Sequence, residues 1–151
     1  DLAALPYTRM VLSETLRLYP PIYAIAREAR EQFEAGGYAV PAGTLVLMSP
    51  YVMHRDPRYY TDPDRFDPER WHPTSGTRPE KFAYFPFGGG PRGCIGQVYG
   101  LQEAALVIAT LAQRWRMRLV PGHRVVLRPL INLRPQYGIR MVLEPRCFRP
   151  A

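Results

Sequence analysis

Histidine and cysteine are scarce in this chain: three and two of its 151 residues. Cys94 and Cys147 lack C-x-x-C spacing, which excludes a disulfide scaffold and a zinc module. His54, His72 and His123 have no metal-ligand spacing either, and are expected to cap or to sit in solvent. Lysine is almost missing, Lys81 being the only one among 20 basic residues; the rest are arginine. The longest uncharged apolar run, Ala104 to Ala112, is about half the roughly 20 residues that span a bilayer. No basic-then-apolar leader starts at Asp1, and internal repeats and low-complexity linkers are absent. The first residue is not Met, and the opening reads as the run-up to a helix, so a fragment of a longer protein is expected. Targeting signals of the whole protein would then lie elsewhere; a bacterial source would place it in the cytoplasm.

What is present has an ordinary balance. Hydrophobic residues make up 46% and charged residues 22%, which excludes a disordered, collagenous or coiled-coil chain. The length suits one domain. Net charge is +7, yet the arginines are scattered singly apart from Arg114, Arg116 and Arg118. A basic nucleic-acid-binding module therefore stays a lesser alternative. Seventeen prolines predict extensive irregular connections.

Pro6 to Leu18 reads as a helix with Tyr7, Met10, Val11, Glu14, Arg17 and Leu18 on one face. Pro20-Pro21 stops it. Ile22 to Arg27 reads as extended. Tyr38–Val40 and Thr44–Met48 flank Pro41-Ala-Gly43, which predicts a hairpin between them. A short helix is expected within Met48 to His54. From Arg55 to Glu80 five prolines break every possible element, and so long an irregular stretch is usually held by specific side chains. Gln97 to Arg116 is the strongest helix, with Val98, Leu101, Ala105, Ile108, Ala112 and Trp115 in a stripe. Short strand-like runs between Val125 and Leu143 predict a second hairpin.

Chemistry concentrates at Gly88-Gly-Gly-Pro-Arg-Gly-Cys-Ile-Gly96. Glycine lets the backbone adopt positive φ and lets a flat ligand approach closely. Cys94 precedes a helix, where unpaired N–H groups and the helix dipole favour thiolate over thiol. The amides of Ile95, Gly96 and Gln97 are the natural donors to that sulfur. The stretch describes a rigidly held thiolate ready for a soft metal centre; the bland alternative is a glycine turn with an incidental cysteine. Gly88-x-Gly90-x-x-Gly93 also matches a dinucleotide fingerprint, but no acid lies near Thr110 to Arg114 and Phe82–Phe87 makes a poor parallel strand. Glu14-x-x-Arg17 is a second constellation. Residues three apart share a helix face; the usual reading of such a pair is a solvent-exposed one of small worth, but this pair falls on the face of Met10 and Leu18, which should be buried. Arg70, in Phe66-Asp-Pro-Glu-Arg-Trp71, is a candidate third member.

Phe87-x-x-Gly90-x-x-x-Cys94-x-Gly96 resembles the haem-binding signature of the cytochrome P-450 family, the haem-thiolate monooxygenases. Glu14-Thr-Leu-Arg17-Leu-Tyr-Pro-Pro21, His54-Arg-Asp-Pro57, Phe66-Asp-Pro-Glu-Arg-Trp71 and Leu133-Arg-Pro135 resemble further motifs of that family, in order and with similar spacing. The resemblance covers essentially the whole chain. It implies a mainly α fold with a small β region, of which this is the C-terminal, proximal part. The implied divisions are a conserved helix over 1–21, β segments over 22–50, an irregular meander over 51–81, the haem-thiolate loop over 82–96, the proximal helix over 97–118 and a β hairpin region over 119–151.

The resemblance implies that Cys94 ligates the iron of haem b, and that a thiolate there pushes electron density onto the metal. It places Phe87, Gly88, Ile95 and Gly96 against the cofactor, and Arg92 and Arg27 on its propionates, a role that suits the planar guanidinium fork. Glu14, Arg17 and Arg70 would form a buried triad that holds the loop. Ile22, Ile25 and Ile131 would border a pocket for a small, lipophilic organic substrate. The implied reaction inserts one oxygen atom from O2, with electrons from NAD(P)H through a ferredoxin or flavoprotein reductase. The basic surface near Arg92 and Arg114 to Arg118 would dock such an acidic partner. A haem-thiolate enzyme that isomerises or dehydrates is the alternative of the same fold. The oxygen-activating helix of the family would lie before Asp1, so this chain alone is not expected to enclose haem or to catalyse oxidation.

Overall fold

The computed structural model describes residues 4–75 and 79–146. Cys147, the second cysteine, lies outside them.

Helix α1 runs Pro6–Leu18, with proline in its first turn, where a missing N–H costs nothing. It ends where expected: the Tyr19 N–H bonds Thr15 O at 2.7 Å ahead of Pro20. Met10, Leu12, Leu18, Glu14 and Arg17 are buried. Tyr7, placed on the buried face by periodicity, is instead exposed at the helix start.

The next four strands depart from the sequence reading. Strands β1 (Ile25–Glu28), β2 (Phe33–Ala35), β3 (Tyr38–Val40) and β4 (Leu45–Met48) form two antiparallel pairs, β2 with β3 and β1 with β4. Tyr38–Val40 therefore does not pair with Thr44–Met48 across Pro41–Gly43. The reversal is made by Gly36-Gly37, whose φ values of 57° and 82° suit the two-residue turn that matches strand twist. Pro41–Gly43 only redirects the chain so that Leu45–Met48 can reach Ile25–Glu28, with Ile25 opposite Met48.

Helix α2 (Pro50–Met53) is one turn, capped by Ser49 Oγ accepting the Val52 N–H. The irregular stretch that follows contains a single 3-10 turn, Pro68–Trp71, with the Asp67 side chain capping Glu69 N–H. Helix α3 covers Gln97–Arg114. It stops short of the expected Arg116 and of the 118 boundary, because Trp115 is already extended at φ −131°, ψ 141°. Trp115, Met117 and Leu119 alternate with Arg116 and Arg118, a period of two that fits a strand. That strand, β5 (Trp115–Leu119), pairs antiparallel with β8 (Met141–Pro145). Between them β6 (Leu127–Pro129) and β7 (Leu133–Pro135) form the expected C-terminal hairpin.

Helix α1 packs against α2, α3 and the 3-10 turn. The buried apolar residues are few among those described; Tyr60 of the irregular stretch and Ala83, just after it, are among them. Buried beside them are three polar side chains, Glu14, Arg17 and His54.

Candidate functional site

Cys94 sits on a loop that folds on itself. Gly88 N–H bonds Phe85 O at 2.9 Å, Gly93 N–H bonds Gly90 O at 3.0 Å, and Cys94 N–H bonds Phe87 O at 2.9 Å. Gly88 and Gly90 have φ of 72° and 67°, a left-handed conformation that glycine adopts without steric cost. At Gly89 a Cβ would lie 2.6 Å from Phe82 Cε1, so any larger residue there would have to push the exposed Phe82 ring aside. The thiol is free and exposed. It forms no hydrogen bond with the amides of Ile95, Gly96 and Gln97, so those expected donors are not engaged. A Cβ on Gly96 would stand 3.9 Å from Cys94 Sγ, so the sulfur lies over that glycine. Ile95 is fully exposed, and Phe87 half-buried.

A largely apolar groove of about 680 Å³ adjoins the loop, lined among others by Ile25, Arg27, Met48, Phe82, Phe85 and Gly88. Ile25 Cδ1 lies 3.6 Å from where a Cβ of Gly88 would be, which ties β1 to the loop. Arg27 is exposed on β1, its Nη1 bonding only the neighbouring Ala26 O at 2.8 Å. Arg92 is exposed on the short turn Gly90–Arg92. Neither arginine forms an ion pair among the described residues. Ile22 and Ile131 are exposed at 43% and 96%, and their segments are joined by Leu133 N–H to Pro21 O at 2.7 Å and Tyr23 OH to Leu130 O at 2.9 Å.

Behind the loop is the triad. Arg17 Nε and Nη2 donate to the Glu14 carboxylate, both at 2.8 Å. The remaining donors of Arg17 reach three carbonyls: His54 at 2.7 Å, Pro63 at 2.6 Å and Arg65 at 3.0 Å. All five guanidinium N–H groups are thus satisfied. Glu14 also accepts from Arg70 Nε at 3.3 Å, Asp67 N–H at 2.8 Å and Trp71 Nε1 at 2.9 Å. Burial alone would raise the Glu14 carboxyl, but the bonds from Arg17, Asp67 and Trp71 outweigh it and hold it below its ordinary value. Tyr60 packs its ring against Arg17 and Arg70, with centroids 5.1 and 5.9 Å from the guanidinium carbons.

The sequence reading missed His54, which neither caps a helix with its side chain nor meets solvent. It is fully buried. Its Nε2 accepts the Phe85 N–H at 2.9 Å and its Nδ1 faces Arg17 O at 3.2 Å. Burial, assisted by the nearby charges of Arg17 and Arg55, pushes it down to about 4. Its place in His54-Arg-Asp-Pro57, within an otherwise irregular run, was the only available signal. His72 lies at the surface, with its Nδ1 beside Thr74 Oγ1, and His123 is half-buried, with its Nε2 facing Gly138 O.

A soft sulfur ligand on an open face, an apolar groove beside it and two exposed arginines of the kind that grip carboxylates together fit an iron porphyrin with its propionates. The cytochrome P-450 family model matches residues 1–138. This chain belongs to the cytochrome P-450 family. It is 47% identical over 146 residues to cyclooctatin synthase of Streptomyces melanosporofaciens, covering 97% of this chain and 32% of that protein. It is also 47% identical over 147 residues to the same organism's cyclooctat-9-en-7-ol 5-monooxygenase, again 97% of this chain and 32% of that one. Among solved structures, the retinoic acid-bound cyanobacterial CYP120A1 superposes with a TM-score of 0.90 at 36% identity, covering 96% of this chain and 34% of that one. The chain thus spans about a third of the length of the relatives it matches, and its helices and small sheets form part of a P-450 domain.

Proposed function

We propose that this chain supplies the thiolate-bearing part of a haem-thiolate monooxygenase. The observation that carries the reading is the exposed Cys94 on its glycine loop, beside an apolar groove flanked by Arg27. Cys94 would hold the iron of haem b. Arg92 and Arg27 would grip the propionates, while Phe87, Gly88, Ile95 and Gly96 lie against the ring and keep water from the sulfur. When bound, haem supplies the insertion of one oxygen atom from O2 into an organic substrate, the second atom leaving as water with two electrons that originate in NAD(P)H. The electrons would arrive through a ferredoxin or flavoprotein at the exposed Arg92, Arg114 and Arg116; Arg118 is already paired with Glu144 at 2.9 Å. Ile22, Ile25 and Ile131 would border a lipophilic substrate, which agrees with relatives named for cyclooctat-9-en-7-ol and bound to retinoic acid.

The ferrous-carbonyl absorption spectrum of the full-length protein tests this reading. The wild type is expected to show the red-shifted band of thiolate ligation, and Cys94→Ala to lose it. Survival of the band in the variant would move the ligand to another thiol, Cys147 being the only other in this chain.

A further inference from the structure

His54 has a bonding pattern that admits one protonation state. Nε2 receives the Phe85 N–H, so it carries no proton; the ring proton sits on Nδ1 and is donated to the Arg17 carbonyl. The ring is fixed besides by Tyr84, at 5.1 Å between centroids, and by the edge of Phe85, at 5.5 Å. The His54 carbonyl in turn receives Arg17 Nη1. One residue therefore touches the triad through both its backbone and its ring. On its far side the bonds continue from Phe85 O to Gly88 N–H, and from Phe87 O to Cys94 N–H.

We propose that His54 is a positioning residue for the cysteine loop, its neutral imidazole tying the end of α1 to Phe85, where the first hydrogen-bonded turn of the loop begins. The proposal rests on the assignment of Cys94 as the thiolate ligand. The triad alone does not reach the loop: Glu14, Arg17 and Arg70 bond to the helix and to residues 54–71, all before Phe82. Tyr60 OH to Ala83 O, at 2.9 Å, and Tyr84 OH to Ser13 O, at 3.1 Å, anchor the approach, but His54 is the residue that holds a backbone N–H adjoining the first loop turn.

Two variants of the full-length haem protein separate this role from simple packing. Asparagine keeps a donor near the Nδ1 position but places nothing where Nε2 stands. Glutamine can place an acceptor there. In mild denaturant, His54→Asn is expected to lose the red-shifted ferrous-carbonyl band roughly fivefold faster than wild type, a factor in the range carried by one buried hydrogen bond. His54→Gln should stay within about twofold of wild type, since it restores that bond. Hydrogen exchange at the Phe85 amide should accelerate in His54→Asn and stay protected in His54→Gln, a readout that needs no activity. Equal loss in both variants, or wild-type behaviour in both, overturns the positioning role while leaving Cys94 in place. Absence of the band from the wild type would overturn both assignments together.

Discussion

Arg17 has every guanidinium donor engaged and no solvent exposure, so nothing can replace it when it is cut back. Arg17→Ala leaves the Glu14 carboxylate buried with a poorer set of partners and strands three carbonyls. Breaking such a buried pair costs about 3–5 kcal/mol. Arg70 gives Glu14 one longer bond of 3.3 Å and Asp62 O another of 3.5 Å, from a side chain 10% exposed, so Arg70→Ala should cost about 1–3 kcal/mol. The full-length protein is therefore expected to lose haem content almost entirely in Arg17→Ala and partly in Arg70→Ala. Pyridine-haemochrome content with a urea midpoint checks this; equal retention in both would dissolve the triad's role. His54 sets a separate pH dependence. Above pH 6.5 it is neutral folded or unfolded and contributes nothing. As pH falls from 6.5 towards about 4, the unfolded chain binds a proton that the native site refuses, with Arg17 and Arg55 the cations facing the ring, so stability drops. The span corresponds to roughly 3 kcal/mol at one pKa unit per 1.36 kcal/mol. His54→Gln should flatten the urea midpoint across that window. Any loss from protonation of Glu14, whose carboxyl is held low, belongs below pH 4.5.

At the scale of elements, legibility followed the range of the interactions. Helix α1 was readable to the residue, because a proline in its first turn and two after its end mark both boundaries locally. The paired glutamate and arginine were only partly readable: helix periodicity carried them to the face of Met10 and Leu18, but a pair three residues apart reads by itself as an exposed one, and the burial comes from distant carbonyls at residues 54, 63 and 65. The strands at 33–48 were not readable from the Pro41–Gly43 turn, since the pairing is decided by the positive φ values at Gly36 and Gly37. The end of α3 was obscured for a similar reason. Trp115 continues the helical stripe and also begins the alternating pattern of β5, and only the pairing with Met141–Pro145 decides between them. His54 escaped because nothing near it in sequence bonds to its ring; Phe85 is 31 positions away.

At the scale of the whole molecule, the apolar surface is distributed as on a part of a larger body. Helix α3 buries Ala105 while Val98, Tyr99, Leu106 and Val107 stand 67%, 70%, 55% and 51% exposed. Four large apolar side chains exposed on one helix, interrupted there by the exposed Gln102 and Glu103, exceed what single surface hydrophobes need by way of explanation. The buried apolar set among the described residues is small, whereas a domain of about 150 residues ordinarily buries about 68–70% of its unfolded surface. The Cys94 loop is open on the side where a porphyrin would need a second wall. The isolated chain is therefore expected to bind a hydrophobic dye such as ANS, to unfold with low cooperativity, and to give no red-shifted ferrous-carbonyl band when titrated with haemin. The full-length protein under the same titration should give that band. A stoichiometric thiolate-type spectrum from the 151 residues alone would show that the groove beside Arg27 and the glycine loop hold haem without another wall, and that the exposed faces of α3 play no part in closing the site.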